Sequence, residues 1–248
     1  MKKSLLALPI VILGSLFILG LLGQAQALAD DPPRAKTATP VKVELALYKP
    51  PMLGAPRLRV GGGVRGAEDN DAPVLQVLAP LQCGLTTRKQ PILYWHLDKP
   101  AQHALEITVM EVGGVSPLAR ELQVGPIAAG LHAFRLAGQD KSLGIGKEYE
   151  WFVAVILDPA QRSKDIIASG GLRRIAMPDG LQGQLNTAQV GEDGLLYAGA
   201  GLWYDAIDAL VEGLGKTADK ATLSGQFSAI LKQEEIIGIS LTVPMDKL

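Results

Sequence analysis

The sequence predicts a mainly β fold with a small α module: an immunoglobulin-like antiparallel β-sandwich followed by a C-terminal helical hairpin or three-helix segment. Three observations predict it. Seven short apolar or alternating runs between residues 57 and 177 are separated by Gly, Pro and Asp, the spacing of an all-β sandwich. After Pro178 the apolar residues recur at helical spacing instead. The 248 residues are 48% apolar and 20% charged, enough for a packed core and outside the range of disordered chains.

Residues 1–29 read as an export leader. Met1-Lys2-Lys3 is a positive start, Leu5 to Leu22 an apolar stretch, and the small residues Ala25, Ala27 and Ala29 suit signal peptidase. Pro9, Gly14 and Ser15 interrupt the apolar stretch, which favours cleavage after Ala29 over a retained anchor. No Cys adjoins the cleavage site and no Arg pair precedes the apolar stretch, so a general secretory (Sec-type) route to the periplasm or exterior is expected. Residues 30–56, with ADDPPRAKTATP and YKPPMLGAP, miss many backbone donors at their prolines, offer little apolar surface and read as a Pro-rich tether, with one short strand at Val43 to Tyr48.

Residues 57–177 form the expected sandwich, with strands at 74–78, 92–97, 104–112, 118–124, 131–136, 149–157 and 172–177. Leu105, Ile107, Val109 and Glu111 face one way and Glu106, Thr108 and Met110 the other, the period of a sheet with one solvated face. Trp95 and Trp151 are expected to anchor the core between sheets; a stacking platform for a sugar or base is the functional alternative. Residues 178–248 form the helical module. Asp179 and Gln182 make a capping pair for a helix that Gly191 ends. Leu202, Trp203, Ala206, Ile207, Leu210, Val211 and Leu214 line a second helix, and Thr217 caps a third with Leu223, Phe227, Ile230 and Leu231 on its apolar face. The stretch LYAGAGLWYDAIDALVEGL resembles half of a tetratricopeptide (TPR-like) unit, with small residues Ala198 to Gly201 at the helix crossing.

With 24 basic against 25 acidic side chains and no long basic run, the chain has no electrostatic footprint for nucleic acid or an anionic membrane. GGGVRG at 61–66 fits a dinucleotide fingerprint in letters only, because AEDNDAP follows where a helix must open. Asp69 and Asp71 suggest a calcium loop, but Pro73 occupies a ligand position and no Glu closes the loop. His96, His103 and His132 lack zinc spacing, and neither GxSxG nor SxxK occurs. Cys83 is the single Cys, so it has no partner for an internal disulfide and reads as a buried small side chain. No cofactor, metal or catalytic residue is expected. The most informative polar segment is Asp158 to Asp165: Asp158 with Pro159 suits an Asx turn, and Arg162 can clamp it through Asp158 or Asp165. Its functional alternative is a surface cluster of Arg65, Arg162 and Arg173, with Asp158 beside it, for an anionic ligand or partner.

GAPRLRVGGGVRG at 54–66, LAP at 78–80, GLTT with Pro91 and Tyr94-Trp95, YEWFVAVILDPAQRSKD at 149–165 and LYAGAGLWYDAIDAL together resemble the bacterial family called domain of unknown function 928. The resemblance covers about residues 50–215 and implies an exported protein without assigned substrate or catalytic residues. It also implies a Cys after the RG and another before the DP, where this chain has Ala67 and Leu157. A disulfide pair in relatives would place those two positions within about 7 Å between α carbons.

The expected function is a non-catalytic interaction or sensing accessory of the cell envelope, not an enzyme. Its expected partner is another envelope protein, with no nucleic acid and no stable membrane insertion once the leader is removed. The alternatives are a small-ligand or carbohydrate-binding sandwich using exposed rings such as Tyr94 or Trp203, and a hydrolase assembled in space around His96 or His103.

Overall fold

Alternation along one segment sets the architecture. In the computed structural model, which describes residues 48–51, 59–61, 72–136, 142–189 and 191–239, Leu105, Ile107 and Val109 stand opposite Val155, Val153 and Trp151 on the neighbouring strand, all six buried. Eight strands form in chain order: β1 (Leu75–Val77), β2 (Gly84–Thr86), β3 (Ile92–Leu97), β4 (Ala104–Glu111), β5 (Pro117–Gln123), β6 (Gly130–Arg135), β7 (Glu148–Ile156) and β8 (Ile166–Arg174). They make two sheets, a three-stranded one ordered β1-β3-β6 and a five-stranded one ordered β2-β8-β7-β4-β5. Four helices follow: α1 (Leu181–Thr187), α2 (Asp193–Gly199), α3 (Trp203–Leu214) and α4 (Lys220–Gln233). The fold is mainly β with a small α module. The leader and its cleavage site, Val43 to Leu47, and Gly62 to Asp71 lie outside the described residues.

Two sheet features depart from the expected pattern. β2 has no counterpart among the expected strands, and it runs parallel to β8, pairing Gly84 with Leu172 and Thr86 with Arg174, so the sheets are not wholly antiparallel. β8 starts at Ile166, well before the expected 172, because Gly170 and Gly171 continue the strand where their sequence suggests a bend. Their role is close approach: a β carbon on Gly170 would fall 2.3 Å from the Ala79 β carbon and 3.1 Å from Trp151 Nε1.

The helices share the core of the sheets. Trp95, Trp151, Trp203 and Phe227 belong to one continuous buried cluster, and α3 packs against β2, β3, α2 and α4. Trp203 donates its indole N–H to the Leu78 carbonyl at 2.8 Å, and Trp151 donates to the Tyr204 hydroxyl at 2.9 Å, which donates onward to the Gly171 carbonyl at 2.7 Å. The Trp203 and Trp151 indoles thus bury a large apolar body without stranding the polar atom. Within the expected tether of residues 30–56, Tyr48 is buried edge-on against Trp203, and its carbonyl accepts from the Gln233 side chain at 2.5 Å.

The expected apolar face of the last helix, Leu223, Phe227, Ile230 and Leu231, is buried in α4. Two caps differ. Gly180, in the left-handed region at φ 76, precedes α1, and Gln182 bonds Asn186 at 2.9 Å, so the Asp179 and Gln182 pair makes no side-chain cap. Asp219 caps α4, accepting the Thr222 N–H at 3.1 Å, while Thr217 accepts from Asp219 N. No helix among the described residues is long and apolar enough to cross a membrane.

Candidate functional site

Two deeply buried carboxylates lie where α3 meets the β2–β3 turn. Asp205 and Asp208 stand one turn apart on α3 and are 0% and 3% exposed. Asp205 accepts the backbone N–H of Thr87 at 3.1 Å and its hydroxyl at 2.8 Å, and lies 3.7 Å from Arg88 Nε. Asp208 accepts the Tyr94 hydroxyl at 2.7 Å on one oxygen and Arg88 Nη1 on the other. Thr86, fully buried, accepts the Arg88 backbone N–H at 3.1 Å.

Burial of this kind is unfavourable for a carboxylate unless donors surround it. Burial raises the Asp205 pKa above its ordinary value, while bonds from Thr87 and Thr86 and the charge of Arg88 act against the rise. Burial works against the charge on Arg88, but Asp208 and Asp205 outweigh it and hold the guanidinium more firmly protonated than usual. The Tyr94 hydroxyl is pushed far up by burial and then by Asp208, so it serves as a donor. Chemically, the cluster fixes one guanidinium in place. Beside it opens a pocket of about 230 Å³ lined by Arg88, Ile92, Tyr94, Arg135, Asp208, Val211 and Glu212.

Sequence reasoning passed over Asp205 and Asp208. They project from the side of α3 away from Trp203, Leu210 and Leu214, the side that an amphipathic reading assigns to water. In the fold α3 is covered on that side too. The available signal was two acids at i and i+3 in an otherwise apolar helix, WYDAIDAL.

Of the residues singled out from sequence, Arg162 and Arg173 do not meet. Asp158 accepts the Ala160 N–H at 2.9 Å, the expected Asx turn. Arg162 binds Asp165 at 2.6 Å and reaches Glu106 at 3.4 Å, so of the two expected clamps it uses Asp165. Arg173 pairs with Glu148. β8 starts at Ile166 and carries Arg173 near its far end, and a strand rising about 3.3 Å per residue puts Arg162 and Arg173 at opposite ends of the sheet. Arg65 and Ala67 lie outside the described residues, and with Ala67 the expected closeness to Leu157.

Tyr94 and Trp203, the rings expected to stand exposed for a carbohydrate, are 4% and 0% exposed, which removes the stacking surface that reading needs. Trp95 and Trp151 are likewise buried core anchors. Cys83 is buried, its thiol 3.8 Å from the Gly84 carbonyl. His132 stacks on Trp95 with ring centres 5.4 Å apart and shares its face, because the two are opposite in the β3–β6 register, whereas His96 takes the other face. Among the described residues no group of three His, Cys, Asp or Glu side chains is placed to hold a metal ion.

Fold and cluster define a two-sheet β protein with a helical layer tied to it through two buried carboxylates. Residues 60–242 match the model of the family described as Domain of Unknown Function (DUF928), and the chain belongs to that family. No curated protein matches it. Among solved structures, it is similar to the crystal structure of an engineered protein at 8% identity, covering 43% of this chain and 21% of that one with a TM-score of 0.29. The chain thus spans about a fifth of that structure's length.

Proposed function

We propose that the chain is an exported, non-catalytic interaction or sensing module of the cell envelope, and that it docks a partner protein along the margin of its five-stranded sheet. The observation that carries this is β5. It is the outermost strand of its sheet, and Leu122 near its end and Val124 just beyond it are 56% and 81% exposed. An outermost strand leaves every second pair of backbone N–H and C=O groups without a ladder partner, which is the chemistry of strand addition by an extended peptide. Glu121 and Gln123 point toward the inner face and bond each other at 3.1 Å, and such inward polar side chains hinder indiscriminate pairing of copies. The leader at residues 1–29 supports delivery to the periplasm or beyond.

An immunoglobulin-like sandwich is supported by the pairing of β1, β3 and β6 in one sheet and β4, β7 and β8 in the other, the division of an ABE and CFG arrangement, with β5 added beside β4. A tetratricopeptide-like α2–α3 hairpin is supported by the tight crossing at Gly194, where a β carbon would lie 2.5 Å from Leu210 Cγ.

The test is site-specific photo-crosslinking in cells producing the full chain, with the probe at Leu122 and, as a control, at the exposed Ile145. One discrete protein adduct from position 122 alone, lost when Val124→Lys is added, is expected. Equal labelling from both positions, or no adduct from 122, overturns the docking surface.

A further inference from the structure

The pocket beside the buried carboxylates has a chemistry that the docking proposal does not use. From the geometry we infer that it binds an organic carboxylate, its oxygens between Arg88 and Arg135 and its apolar stem against Ile92 and Val211. This inference stands independently of the β5 surface.

Register explains why the two guanidinium groups meet. Arg135 on β6 stands opposite Ile92 on β3, and Tyr94 lies two residues along β3 on the same face. Asp208, Val211 and Glu212 fall at i, i+3 and i+4 on α3 and complete the wall. Two like charges are thereby drawn to one concavity.

The pocket's acids are already engaged. Both oxygens of Asp208 accept, one from Tyr94 and one from Arg88, and Glu212 lies 3.3 Å from Lys216 at the rim. Arg135 has no hydrogen-bond or ion-pair partner among the described residues. Arg88, anchored from behind by Asp205 and Asp208, keeps 37% of its side chain exposed. The unspent polar groups are therefore donors, and a guanidinium held in place by buried carboxylates loses little freedom when its planar fork meets a carboxylate. Ile92 and the nearly buried Val211 supply an apolar wall that a bare inorganic anion would not use.

The experiment is a titration of the purified protein in low salt with pentanoate, acetate, pentylammonium and inorganic phosphate, followed by amide NMR shifts. Pentanoate is expected to bind at least several-fold more tightly than acetate or phosphate, pentylammonium not at all, with shifts centred on Ile92, Arg135 and Val211. Arg135→Gln, at an exposed side chain without partners among the described residues, should weaken pentanoate at least tenfold with an unchanged circular-dichroism spectrum, while Lys147→Gln leaves it unaltered. No saturable pentanoate shift, tighter binding of phosphate, or binding indifferent to Arg135→Gln overturns the inference.

Discussion

Tyr94 on β3 donates its hydroxyl to Asp208 on α3 across 2.7 Å, linking the three-stranded sheet to a helix 114 residues later in the chain. The same carboxylate receives Arg88 from the β2–β3 turn. One helical side chain therefore ties two separate parts of the β structure.

Removing Asp208 strands the buried Tyr94 hydroxyl and leaves Arg88 with Asp205 and water. Asp208→Ala is expected to destabilise the protein by about 2–3 kcal/mol, less than for a fully buried ion pair because Arg88 keeps partial access to water, whereas Tyr94→Phe should cost about 1–2 kcal/mol. Urea unfolding at neutral pH measures both. Equal, negligible effects would show that the link contributes nothing.

Asp205 sets a pH dependence of definite sign. Its folded pKa lies above the ordinary 3.8, so the folded state binds the proton more tightly than the unfolded chain does. Its contribution is therefore most favourable below the unfolded value and declines as pH rises through the interval up to the raised folded value. Comparing the unfolding free energies of the parent protein and Asp205→Asn from pH 3 to 8 isolates it. The parent should lose stability relative to the variant as pH rises through that interval, and a relative gain would contradict the burial argument.

Gly170 is required by space. Gly170→Ala forces a β carbon into contact with Ala79 and the Trp151 indole, and overpacking of this kind costs about 1–3 kcal/mol. Gly183→Ala, on α1 where nothing lies within 4 Å, provides the comparison and should be neutral or slightly stabilising. Thermal melts of the two variants distinguish crowding from a general intolerance of alanine.

The caps separate two sequence patterns that look alike. Asp219→Ala removes the acceptor for Thr222 N–H and should lower the urea midpoint of unfolding, while Asp179→Ala, which removes no side-chain cap, should leave that midpoint where it is. Denaturation curves of the two single variants beside the parent check the pair, and equal midpoints for both would remove the capping role of Asp219.

Most strands were legible because alternation is a local property. β3 spans the expected 92–97 and β4 differs by one residue, since Leu105, Ile107 and Val109 need only a neighbouring sheet to bury them. The α4 face was legible for the same reason at helical spacing. β2 was not, because three residues carry no period and Gly84 to Thr86 becomes a strand only when β8 lies alongside. Gly170 and Gly171 looked like a bend because sequence shows the missing side chain but not Ala79, Trp151 and Cys83, which occupy the space.

The residue pattern alone carries the mainly β architecture, the helical tail, the Asx turn at Asp158 and the core positions of Trp95 and Trp151, all consequences of local period and turn chemistry. Tertiary structure decided which charges are buried. Arg162 and Arg173, close in chemistry, are separated by the length of β8, while Arg88 and Asp208, 120 residues apart, are brought into contact. A helix has no intrinsic solvent side: Asp205 and Asp208 are buried because the β2–β3 turn and β3 bring donors to them, and the i, i+3 spacing within WYDAIDAL marks the two acids without naming those partners.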